Sequence, residues 1–232
     1  MSFLKNIFGG STSDNYPKKS PVKFGRYTAV NKNSRQLKGW DNSVKLFAEK
    51  KYTDAYVEFF SYLRDDNEDN VHCSTEGGKL NFSIAEGSKI VKGYADKDKV
   101  VAEVNIAGFD ALNVAFMRKL MNMNFDLLYS RFALKDNRIC LKFTSHILDA
   151  SPYKMFYSLK ELATRADKED HILINEFKML KPIDVEHLTG LTDQEKEVKY
   201  KYIQKWISDA LNRISELEEV KFSGTISYLL LR

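Results

Sequence analysis

The chain has 232 residues, of which 43% are hydrophobic and 29% charged, a balance that supports a folded core and argues against bulk disorder. No apolar run approaches the roughly 20 residues of a membrane span, and the opening "MSFLKNIFGG" is too short and polar for a secretory signal, so a cytoplasmic protein is expected. The net charge of +4 is uneven: residues 1–40 carry eight Lys/Arg and one Asp, so a basic arm precedes a mildly acidic body.

Within the arm, residues 1–10 can form a short amphipathic turn ended by Gly9-Gly10, and residues 11–23 read as linker. "FGRYTAV" is expected to be extended. Phe24, Arg26, Tyr27 and Trp40 are its candidate contact residues, with Trp40 closing the arm and Asp41 or Ser43 capping the first helix. Residues 41–70 then predict a helical hairpin, with apolar residues at helical spacing (Leu46, Phe47, Ala55, Phe59, Leu63) and "KKYTD" as the turn, capped by Thr53 or Asp54. The Tyr52, Ala55, Phe59 spacing is that of half a helical repeat, but without a second copy it must dock on the main body.

The third region, residues 71–232, predicts an α+β domain. "KLNFSIA", "KIVKGYA" and "KVVAEVNIA" are Val- and Ile-rich segments separated by turn residues, which predicts a three-strand antiparallel meander. A helix carrying Leu112, Phe116, Leu120 and Met123 follows, with Asp110 as its cap. Then "LLYSRFAL" and "RICLKFTS" flank "KDN". An Asp136-Asn137 turn sets Leu134 opposite Ile139 and Phe132 opposite Leu141, and it sets Arg131 opposite Lys142 on the other face. Ser151-Pro152 opens a long helix through Phe156, Leu159, Ala163 and Ala166, and "KPIDVEHLTG" is a connector. Thr192 and Glu195 form a capping box before a final helix. Tyr200, Ile203, Ile207, Ala210, Ile214 and Leu217 recur there at steps of three and four, a heptad seam that packs within the chain or joins a homodimer. Residues 220–231 predict a terminal strand. Because every close strand connection is a hairpin, an antiparallel sheet flanked by helices is expected rather than a doubly wound parallel one.

"NRICLKFTSH" holds the residue types of a nucleophilic site. Its face carries Arg131, Arg138, Cys140 and Lys142, and the flanking cations would favour a Cys140 thiolate. The base is missing. His146 has the right parity but lies six residues along the strand, about 20 Å away at roughly 3.3 Å per residue. No catalytic residue is therefore assigned, and Arg131, Arg138, Cys140 and Lys142 are read as a binding face that is either solvated or visited by something acidic. The histidines and cysteines show no zinc spacing and the glycines no phosphate-loop signature, so neither metal nor cofactor is expected.

The segment from "FMRKLMNMN" through "RFALKDNRICLKF" to "ILDASPYKMF" and "ATRADKED" resembles the bacterial YbjN-type family, which shares the type III secretion chaperone-like fold. With the meander, the resemblance covers about residues 78–180. It implies a helix-flanked antiparallel sheet without an active site, in a fold whose secretion chaperones hold extended partner segments, usually as dimers. The basic arm, the helical pair and residues 190–232 depart from that pattern. The expected function is non-enzymatic protein or peptide binding of a chaperone or adaptor kind. A ligand pocket or enzyme site between helices and sheet is the first alternative. The second is binding of an anionic surface or nucleic acid through the arm, although no nucleic-acid motif accompanies its charge.

Overall fold

The computed structural model describes residues 32–65, 69–185 and 190–215, together with residue 224. It divides into a body, residues 31–189, and a second unit that contains the C-terminal helix. Phe24, Arg26, Tyr27, Leu217 and the expected terminal strand lie outside the described residues.

The body opens with helices α1 (Ser34–Ala48) and α2 (Tyr52–Leu63). Helix α1 begins well before Asp41 or Ser43. Asn33 is its cap, accepting from the Gln36 backbone N–H, while the Gln36 side chain accepts from the Asn33 N–H. Trp40 therefore sits inside a helix and not at the end of an extended arm. At α2 neither Thr53 nor Asp54 is the cap; both lie in its first turn and Lys51 precedes them. The two helices approach closely at Gly39, where a Cβ would meet the Glu58 carbonyl oxygen at 3.0 Å.

The sheet contains β1 (Val71–Glu76), β2 (Lys79–Glu86), β3 (Lys89–Ala95), β4 (Lys99–Phe109), β5 (Arg131–Lys135), β6 (Arg138–His146) and the short β7 (Leu180–Lys181). All pairings are antiparallel, in the order β1-β2-β3-β4-β6-β5, with β7 on β4. The meander thus has four strands rather than three, because the polar "VHCSTE" pairs with β2 through a Gly77-Gly78 turn with positive φ at both residues. The β5–β6 hairpin has the expected register, and Asp136 and Asn137 both have positive φ, as a two-residue turn of this kind requires. Between β4 and β5 lies α3 (Val114–Met123), capped by Asn113 and not Asp110, since the Asn113 side chain accepts from the Ala115 N–H.

Helix α4 (Pro152–Glu176) starts at the Ser151 cap and crosses β2, β3, β4 and β6 on one face of the sheet. It buries Met155, Leu159, Leu162, Ala166 and Leu173 against Val91, Val104, Leu141 and Phe143. The helical hairpin docks at the β1 end. Phe60 packs on Phe82 with ring centroids 4.6 Å apart, and Phe82 in turn lies over Gly93, where a Cβ would collide with its ring. Tyr56 reaches through the core to donate to the Ala150 carbonyl at 3.0 Å.

Strands β3 and β4 stay paired only from Lys92–Glu103 to Ala95–Val100. Beyond that the β3–β4 ladder ends; β4 carries a bulge at Ile106 in its pairing with β6, and β7 joins β4 at Gly108 and Phe109. The gap is bridged by a side chain. The Lys89 ammonium, 2% exposed, donates to the Ile106 carbonyl at 3.2 Å and pairs with Asp170 of α4 at 3.0 Å. The β2–β3 turn is fixed to the same helix, with the Ser88 N–H and hydroxyl donating to Asp167 at 2.7 and 2.8 Å.

Breaking such a buried pair leaves one charge uncompensated. Lys89→Met is expected to destabilise the body by about 3–5 kcal/mol in urea unfolding. Adding Asp170→Leu to Lys89→Met should recover part of that loss. Additive single and double changes would show that the two groups are not coupled.

Candidate binding face of the sheet

The period-2 alternation of the strands sends apolar side chains to α4 and polar ones to the opposite face. Because the ladders run in register, one row crosses six strands: His72, Ser83, Lys92, Glu103, Lys142 and Arg131. Beside it runs Ser74, Asn81, Tyr94, Val101 and Thr144, and then Lys99 opposite His146. Lys92, Lys99, Arg131, Arg138 and Lys142 are exposed. Three of the expected site residues, Arg131, Arg138 and Lys142, are thus gathered on one face, and β3 and β4 add Lys92 and Lys99, which a reading of the hairpin alone could not supply.

Two contacts order this surface. Glu103 pairs with Lys135 at 3.2 Å, and the Lys79 ammonium lies 3.5 Å from the centre of the Tyr94 ring. At the far corner the stretch after β7 folds over the end of β4. Asn105 donates to Asp184 at 2.8 Å, and Ile183 closes on Gly108, which leaves room for it by lacking a side chain.

Cys140 departs from expectation. It is 1% exposed, set between Asn105 and Ala133, and its thiol donates to the Ala133 carbonyl at 3.5 Å. Burial, and next the Glu103 carboxylate, push the thiol up to about 11, outweighing Lys135, Lys142 and Arg138. It is protonated at neutral pH and cannot touch a partner on this face. The charge of flanking residues was visible in the sequence; the desolvation imposed by two neighbouring strands was not.

The edge strand β5 is held by a carboxylate. Glu161 of α4 accepts from the backbone N–H groups of Leu128, Tyr129 and Ser130 and from the Ser130 hydroxyl, all at 2.7–3.0 Å. Burial raises its pKa, but these four donors outweigh it and the net shift is downward. Asn124 also occupies the Phe132 N–H at 2.8 Å. Arg131, at the start of β5, donates from its guanidinium to the Leu127 and Ser130 carbonyl oxygens, beside the segment that Glu161 holds.

Elsewhere, Trp40 is half-buried, with ring centroids 5.0 Å from both Tyr62 and Tyr153, so its role in the described residues is to join α1, α2 and α4. A cleft of about 300 Å³ lies between the α1–α2 turn and the β3–β4 turn, lined by Lys50, Lys51, Lys97, Asp54 and Asp96, but not by Cys140. Among the described residues no group of three His, Cys, Asp or Glu side chains is placed to hold a metal, and no helix is long and apolar enough to cross a membrane. No protein-family model matches the chain, and a search of curated proteins gives no significant match.

In a Cys73→Ser background, Cys140 is expected to react with a disulfide reagent at pH 8 at least about 100-fold more slowly in the folded protein than in urea. Equal rates would place the thiol at the surface. Glu161 carries the sign of a depressed carboxylate. Its contribution is complete above the ordinary glutamate value of ~4.3 and is lost as pH falls below that toward its folded value. Glu161→Gln should therefore cost more stability at pH 7 than at acid pH, the difference vanishing as pH falls toward the folded value, and an equal cost throughout would exclude the charge as the cause.

Proposed function

We propose that this is a binding protein without a reaction of its own, whose basic sheet face holds an acidic segment of a partner protein. The observation that carries the proposal is the row across six strands, in which Lys92, Lys142 and Arg131 stand exposed with Glu103 as its one carboxylate. Strands about 4.8 Å apart set Lys92 and Lys142 roughly 10 Å from each other. That spacing matches same-side residues of a polyproline-II-like segment, which repeat every ~9 Å. A net positive charge over this face speeds encounter and selects against basic partners more than it supplies raw affinity. The resemblance of residues 78–180 to the YbjN-type family supports a binding role, because the secretion chaperones of that fold hold partner segments. Association of two chains through the C-terminal helix would present two such faces in one particle and raise avidity.

The test is fluorescence anisotropy with a labelled polyglutamate peptide and a labelled oligo-dT of equal charge. The peptide should bind more weakly as salt rises, and Lys92→Glu with Lys142→Glu should cost at least tenfold, ~1.4 kcal/mol. Reversing Lys160 and Lys168, exposed on α4, should leave affinity within about twofold. Equal losses from both pairs would reduce the effect to net charge, and tighter binding of oligo-dT would replace the partner by nucleic acid; either result overturns the proposal.

A further inference from the structure

The C-terminal helix α5 (Asp193–Ser215) is capped as expected: Glu195 accepts from the Thr192 N–H at 2.9 Å and its own N–H donates to the Thr192 hydroxyl at 3.2 Å. None of its residues is buried. On one flank its charges pair within the helix, Lys201 with Glu197 and Lys205 with Asp209. On the other flank lies the seam, where Tyr200, Ile203 and Ile207 are 56%, 47% and 55% exposed and Ala210 follows, with Leu211 exposed beside them. A helix that satisfies its own charges on one side and leaves β-branched residues open every three or four positions on the other is built to face a second helix.

We infer that the partner of this seam is α5 of a second copy, packed parallel and in register. With Tyr200, Ile207 and Ile214 at a positions, Ile203 and Ala210 fall at d, and two of the three a positions hold β-branched isoleucine, the preference of parallel two-stranded pairs. The flanking g-to-e′ pairs are then compatible throughout. Lys199 meets Gln204 of the other copy and Trp206 meets Leu211, adding apolar area to the centre. The next such positions in the sequence are Arg213 and Glu218, of opposite sign. No like charges oppose each other in this alignment. Centring the helices antiparallel, with Ile203 against Ile207, would instead set Lys199 against Arg213. The inference stands on α5 alone and does not depend on what the sheet binds.

Sedimentation of the full chain should give twice the monomer mass at tens of micromolar. Ile207→Glu should weaken association by about 100-fold, because it sets an unpaired carboxylate in the seam. Asn212→Glu, on the outer face, should leave the mass unchanged. Circular dichroism of each variant separates loss of association from loss of the helix. Ala210→Cys should crosslink two chains under mild oxidation, since equal d positions meet only in the parallel alignment. A monomeric wild type, a dimer that survives Ile207→Glu, or a dimer in which Ala210→Cys adds no crosslink over wild type would each overturn the inference.

Discussion

The body depends on one buried ammonium. Lys89 stands where β3 and β4 part, and it replaces the missing ladder bond by donating to the Ile106 carbonyl while pairing with Asp170. An unpaired carbonyl at that depth would cost about 1–3 kcal/mol, and an Asp170 carboxylate left without its countercharge, with only the Ser88 hydroxyl and His171 N–H as donors, would cost more. A hydrophobic residue at position 89 could fill the space but satisfy neither acceptor. The bulge, the departure of β4 toward β7 and the seat of α4 on the sheet therefore share a single donor. Ser88 and Asp167 repeat the attachment one residue away, so the β2–β3 turn is set by the helix as much as by its own strands.

How far the sequence disclosed this depends on the range of the interaction. The β5–β6 register was legible because Asp136-Asn137 forces a two-residue turn and alternation then assigns every facing pair. The Ser151-Pro152 and Thr192–Glu195 helix starts were legible for the same reason: cap and helix are neighbours in the chain. Other local signals are masked by the composition around them. The Asn33–Gln36 capping box was hidden in a segment read as basic arm. "VHCSTE" has little of the apolar content of a strand and is recruited by β2. Asp110 is a plausible cap, but Asn113, three residues later, takes the role. The Lys89–Asp170 pair has no local signature at all, because its members are far apart in sequence and each alone is an ordinary surface residue.

The candidate face shows the same division. Hairpin parity put Arg131, Arg138, Cys140 and Lys142 on one side, and the structure keeps them there, yet it withdraws Cys140 from solvent. Exposure is a property of what lies on either side of a strand, and the neighbours of β6 are β4 and β5, one of them more than thirty residues away. The addition of Lys92 and Lys99 likewise required the order β3-β4-β6, which alternation within a single strand does not contain. A charged row across a sheet is a product of topology, and its members are scattered through the sequence from His72 to Lys142.

The short pairing of β3 with β4 has a mechanical consequence. The sheet is two leaves, β1–β2–β3 and β4–β6–β5, sewn together by four residue pairs at one end and by the Lys89 ammonium at the other. Torsion applied to one leaf reaches the other through those stitches and through α4, which spans both. The fold therefore concentrates its compliance in a single line, and Lys92 and Glu103, the last stitched pair before the gap, lie on it.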